Sequence, residues 1–177
     1  MSAVASPLRI LGIDPGSRWT GFGVIDYHRD RSALVAQGRI GASAGTMPER
    51  LLKILEGLGE VIRGYAPQEI ALEETFVNRV NPASALVLGQ ARGAALCAAG
   101  MARLSVAEYS PSQVKQAVAG SGRADKLQVQ QMVKMLLNAS GRVSADAADA
   151  LAVAIAHAHV RGTQLRTGVV FTPRGGA

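Results

Sequence analysis

Leu8-Arg9-Ile10-Leu11-Gly12-Ile13-Asp14-Pro15-Gly16 is the stretch from which the fold of this 177-residue chain can be read. A nearly unbroken apolar run stopped by Pro-Gly is the signature of a central strand buried on both faces, and this one ends on a carboxylate. Two further strand patterns follow, Trp19 to Tyr27 and Ala33 to Ile40, with the charged turn His28 to Arg31 between them. Together they predict an antiparallel three-stranded start. Thr46 and Glu49 then have capping-box spacing, and Leu51, Leu55, Leu58 and Ile62 recur at helical intervals before Pro67. Glu69 to Thr75 reads as the fourth strand, about 83 to 101 as a helix, and Leu104 to Glu108 as a short fifth strand. Ser110-Pro111 and Asp125 open two more helices, the second running to about Asn138. A last helix is expected from near Ser144 to His159. This order predicts an α/β fold, a mixed five-stranded sheet with helices on both faces.

One domain over 1–177 is expected, with an ordered core from about 8 to 160 and a frayed tail over 161–177, because no repeat or linker interrupts the pattern. The single Cys97 lies in an apolar stretch and reads as a buried, reduced, structural thiol. No apolar run is long enough to span a membrane and no signal-peptide pattern opens the chain, so a cytoplasmic location is expected. The net charge of +6 is unevenly spread: residues 1–74 carry a net −1 and residues 79–134 a net +5. A basic middle section suits a polyanion such as nucleic acid.

Four acids interrupt or follow apolar stretches instead of lying on polar faces. Asp14 ends the first strand, Glu73 lies near the end of the fourth, and Asp146 and Asp149 sit three apart at the start of the last helix. Adjacent central strands would bring Asp14 and Glu73 side by side, and the helix could present its two acids to the same spot. Singly, each has a plain explanation in turn chemistry, surface charge or the helix dipole. Jointly, carboxylates that converge without basic partners repel, and a hard divalent cation is the economical remedy. Two such ions about 4 Å apart can activate water and stabilise a leaving 3′ oxygen.

Gly12 to Arg18, Ala71 to Phe76, Ser84 to Gly93, Gln113 to Gln116 and Ala145 to Leu151 together, and in this order, resemble the RuvC family of Holliday-junction resolvases. The resemblance runs from residue 9 to about 160. It implies the RNase H-like fold and a homodimer that binds four-way junction DNA and makes paired, symmetric, Mg²⁺-dependent nicks in recombination and repair. It also implies two Mg²⁺ per subunit, with Mn²⁺ as a substitute, and the RuvA–RuvB branch-migration complex as partner. The family's catalytic, metal-binding acids fall on Asp14, Glu73, Asp146 and Asp149, and its phosphate-directed lysines on Lys115 and Lys126. Phe76 falls on the aromatic that contacts bases at the junction centre. Arg79, in the loop after Phe76, and Arg92 are further candidate DNA contacts.

Glu74 stands beside the strand acid, and strand alternation allows only one of Glu73 and Glu74 to face the site. Arg92 and Gly93, with Gly89, Ala91, Ala94 and Ala95, give the helix over about 83–101 a small-residue face that suits packing on the sheet or a dimer contact. His157 and His159 face apart on a helix and read as structural. The expected reaction is in-line hydrolysis leaving 5′-phosphate and 3′-hydroxyl ends, with Asp14 shared by both ions. Two rivals remain at this point. An actin-like nucleotide-binding protein would need a second phosphate loop for which the chain has no room, and a non-catalytic junction scaffold would not need the four acids.

Overall fold

The computed structural model describes residues 6–74 and 82–168. β1 (Leu8–Asp14), β2 (Trp19–His28) and β3 (Arg31–Gly41) form an antiparallel meander. Arg29 and Asp30 both take positive φ in the β2–β3 turn, the geometry of a tight hairpin that matches strand twist. α1 (Met47–Tyr65) leads to β4 (Glu69–Glu73), and α2 (Pro82–Met101) to β5 (Ser105–Tyr109). β4 pairs in parallel with β1 and β5 in parallel with β4, giving the order β3-β2-β1-β4-β5. α3 (Pro111–Ala119), α4 (Lys126–Leu136) and α5 (Ala145–Thr167) complete the chain. The mixed five-stranded sheet predicted from the sequence is therefore present.

The alternation of β1 divides the core in two. Leu11 and Ile13 point to one face and pack with Ile70, Leu72, α1 residues Ile54 and Leu58, and the α2 alanines 91, 95, 98 and 99. Ile10 points to the other face, where Ala71, Ala107, Val114, Val133, Leu151 and Ile155 gather. α5 lies closest to the sheet. A Cβ added at Gly12 would sit 2.1 Å from the Ala150 carbonyl oxygen, and one at Gly21 would sit 2.0 Å from that of Asp146. These two glycines let α5 rest on bare backbone.

Two expectations need correction. Cys97 is exposed, not buried. The inward face of α2 is set by Ala91, Ala95, Ala98 and Ala99, and Cys97, two positions from both Ala95 and Ala99, projects away from them. The last helix does not fray from residue 161 but continues to Thr167, where Gly168 caps it in the left-handed conformation. Gly162 is a packing glycine and not a stop: a Cβ there would meet the Tyr27 hydroxyl at 2.1 Å. That hydroxyl donates to Asp30 at 2.8 Å, and Arg166 pairs with the same carboxylate, which ties the helix end to the β2–β3 turn.

Candidate active site

Parity along the strands decides which acids meet. Asp14 shares the face of Ile10 and Gly12, and Glu73 shares that of Ala71, so both carboxylates emerge on the α5 side at the carboxyl ends of neighbouring parallel strands. Glu74 has the opposite parity, and its backbone N–H continues the ladder by donating to the Tyr109 carbonyl at 2.8 Å. Of the two adjacent glutamates it is Glu73 that lines the cleft.

Each helical contribution is set by a cap. Ser144 accepts from the Ala147 N–H at 3.3 Å, which starts α5 so that Asp146 lies in its first turn and Asp149 in the next. Asp125 accepts from the Gln128 N–H at 2.8 Å and makes Lys126 the first residue of α4. Ser110 and Gln113 form the reciprocal box that opens α3, with Lys115 one turn in. The result is a cleft of about 310 Å³, with Asp14, Glu73, Asp149, Lys115 and Lys126 on apolar walls from Val114, Val129 and Ala152.

The electrostatics of this cleft are unfavourable for acids alone. Burial, then Glu73 and Asp149, push Asp14 up to about 8. Burial, then Asp149, raise Glu73 to about 7, against the opposing pull of Lys126 and Lys115. Lys126 donates to Asp149 at 2.6 Å, and this bond holds its ammonium more firmly protonated than usual. Among the described residues no three of the acids are gathered closely enough to chelate an ion as they stand. The donor set nevertheless fits a hard cation: its groups are all oxygens, two are held at raised pKa by burial and by neighbouring carboxylates, and one already recruits an ammonium.

This burial couples stability to pH. In folded protein Asp14 and Glu73 bind protons more tightly than in the unfolded chain, so their ionisation opposes folding. In chelator, stability should fall as pH rises from about 4.5 to 8, on the order of a few kcal/mol for the coupled pair, and level off above. Urea midpoints measured across that range test it, and a flat profile would contradict the burial of these acids.

Phe76 and Arg79 lie outside the described residues. Arg92 is half-buried and pairs with Glu108 on β5 at 2.6 Å, so its charge is committed within the fold. Asp146 faces the outer lip on the β3 side, where Arg39 approaches it at 3.6 Å. Sequence reasoning missed Arg39, because its neighbourhood depends on the β2–β3 register. His157 is buried, with Nδ1 2.7 Å from the Tyr109 hydroxyl and Nε2 2.6 Å from Glu69, which agrees with its structural reading.

A mixed sheet with two strand-end acids facing a helix that brings two more defines a nuclease-type RNase H-like domain. Comparison with known proteins is specific about which. The family model for crossover junction endodeoxyribonuclease RuvC matches residues 10–157. The RuvC of Dichelobacter nodosus is 55% identical over 151 residues, 85% of either chain. That of a Janthinobacterium species is 56% identical over 152 residues, 86% of this chain and 84% of its own. Among solved structures, Thermus thermophilus RuvC in complex with a Holliday junction substrate superposes with a TM-score of 0.81 at 35% identity, covering 88% of this chain and 96% of that one. The yeast mitochondrial Holliday junction resolvase Ydc2, at 14% identity and TM-score 0.68, shares the fold. The chain belongs to the RuvC family of crossover junction endodeoxyribonucleases.

Proposed function

We propose that this protein resolves Holliday junctions in recombination and repair, cutting two strands of like polarity symmetrically near the crossover. The observation that carries the reading is the meeting of Asp14 and Glu73 on β1 and β4 with Asp149 on α5, beside Lys115 and Lys126, in one cleft. RuvC-family nucleases are metal-dependent, and we assign the role to Mg²⁺ held by Asp14, Glu73, Asp149 and Asp146, with Mn²⁺ as a substitute. When bound, the ions supply the charge that neutralises the acids and polarises water and phosphate. The chain's own part is to desolvate the acids, hold them through three elements and bring two ammonium groups to the scissile phosphate. Hydrolysis of this kind leaves 5′-phosphate and 3′-hydroxyl ends.

Incubating the protein with a synthetic four-way junction and a matched linear duplex, with and without Mg²⁺, tests the reading. Paired nicks in the junction alone, only with Mg²⁺, are expected; equal cutting of the duplex would refute junction selectivity. Lys115 and Lys126 are proposed phosphate ligands. Replacing either by Ala should weaken junction binding and lower the slope of log affinity against log salt by roughly 0.9 for each phosphate no longer neutralised. An unchanged slope would remove that lysine from the interface. Phe76 remains a proposed contact to bases at the junction centre and Arg79 a proposed DNA contact, as does Arg92, whose guanidinium pairs with Glu108.

A symmetric substrate calls for a two-fold enzyme, and we propose a homodimer. The outer face of α2 supports it: Cβ atoms at Gly89 and Gly93 would meet nothing within 4 Å of their own chain, and exposed Leu86 and Cys97 lie on the same stripe. Sedimentation at the mass of one chain across micromolar concentrations would refute it. We further propose one domain over 1–177, a cytoplasmic location and cooperation with RuvA–RuvB, testable as faster cutting of a junction already loaded with that complex. Among the described residues no helix is long and apolar enough to cross a membrane.

A further inference from the structure

Arg39 stands apart from the acids and lysines of the cleft, yet its setting is unusually well defined. It lies near the end of β3 and pairs across the ladder with Gly21 of β2. Because Gly21 has no side chain, the first turn of α5 rests directly on β2, and a guanidinium from the next strand can reach Asp146. The Arg39 Nη1 stands 3.6 Å from Asp146 Oδ2, an ion-pair distance too long for a hydrogen bond.

A second contact places that guanidinium over an aromatic ring. Its central carbon lies 4.0 Å from the centroid of the Trp19 ring. Trp19 in turn sits opposite Gly41 on β3, and its ring occupies the space a Cβ at Gly41 would need, at 2.8 Å. The chain's single tryptophan is 37% exposed in this position, so much of its apolar area is given to the stack and not to the core. Stacking immobilises the guanidinium while leaving its N–H edges free, the arrangement suited to bidentate recognition of an oxyanion.

Charge supplies the direction. Asp146 and Asp149 each carry one cation, Arg39 from the β3 side and Lys126 from the α4 side. The Arg39 side chain is 45% exposed and the Asp146 side chain 32%, so as an internal pair the contact contributes little. Once a divalent ion takes the charge of Asp146, the guanidinium is left oriented, partly desolvated and without its counter-ion. An adjacent phosphate diester supplies one.

We propose that Arg39, held over the Trp19 ring, binds a DNA backbone phosphate on the β3 flank, so that the strand being cut crosses the acids between Arg39 and the Lys115–Lys126 side. This rests on the nuclease reading and extends its interface across the sheet to an element that carries no acid.

The test uses the full chain and a fluorescent four-way junction, with Ca²⁺ as the divalent ion for binding and Mg²⁺ for cutting. Arg39→Ala should weaken binding about five- to twenty-fold at moderate salt and lower the salt slope by roughly 0.9 per subunit. Arg39→Lys should keep the slope and forfeit part of the affinity, because an ammonium retains the charge without the planar fork. Trp19→Leu should weaken binding about threefold at unchanged slope. Arg39→Gln provides a second neutral variant, and melting temperatures must match the unaltered protein in whichever variant is used. Unchanged binding and slope in the neutral variants would overturn the proposal, whether or not cutting falls or the Mg²⁺ requirement rises. Failure of the unaltered protein to cut the junction or the duplex with Mg²⁺ would instead sink the nuclease reading itself.

Discussion

Asp14→Asn should reduce junction cutting by roughly 10³-fold or more, which corresponds to at least about 4 kcal/mol of transition-state stabilisation. Junction binding should stay within about threefold, because the proposed phosphate contacts lie on Lys115, Lys126 and Arg39. The same substitution should raise the stability of the metal-free protein at pH 8. Burial, Glu73 and Asp149 together push this carboxyl up to about 8, so ionising it opposes folding, whereas Asn fills the same space with no charge to desolvate. Activity and stability should therefore move in opposite directions at one position. The pH dependence of the urea midpoint should also flatten in the variant. Cutting at the normal rate by Asp14→Asn, on matched junctions with Mg²⁺, would end the proposed mechanism. A variant that melts well below the unaltered protein at pH 8 would contradict the unfavourable electrostatics of the cleft.

Gly12→Ala should be among the most damaging single-methyl changes in the chain. The added Cβ would lie 2.1 Å from the Ala150 carbonyl oxygen and 2.9 Å from Ala154, both on α5, and backbone cannot move aside as a long side chain can. Relief requires α5 to lift from β1, which opens the core around Leu151 and Ile155. A loss of about 3–5 kcal/mol, or roughly 10 °C in melting temperature, is expected. Cutting should fall further than the folded fraction does, since Asp146 and Asp149 ride on the displaced helix. Gly64→Ala is the matched control: a Cβ there meets nothing within 4 Å, and the change should be neutral or slightly stabilising. Equal melting temperatures for the two variants would show that α5 does not rest on the bare backbone of β1.

Much of this architecture is open to a reader of the chain. The run from Leu8 to Asp14 is apolar because β1 is covered on both faces, so its place at the sheet centre and the position of its acid at the strand's carboxyl end can both be read from the residues. The caps at Thr46, Ser110, Asp125 and Ser144 are local, and local chemistry survives folding unchanged. What cannot be read depends on contacts between distant segments. Cys97 looks buried in sequence because every neighbour is apolar, yet only the angle at which α2 docks decides which alanines turn inward. The run of the last helix past His159 is hidden because the partner of Gly162, Tyr27, lies in a different part of the sequence. Arg39 and Trp19 give no signal at all, since their meeting with each other and with Asp146 requires the β2–β3 register and the close seating of α5 together.

The four acids belong to β1, β4 and α5, so they are encoded near the start, the middle and the end of the chain. During synthesis, a nascent chain that has not yet released residue 149 lacks at least one of them, however well its sheet has formed. If the proposed site is right, fragments left by proteolysis before α5 should be inert for the same reason. The nuclease would then be harmless until its last helix has docked on Gly12 and Gly21, with completion of the fold as the licence to cut.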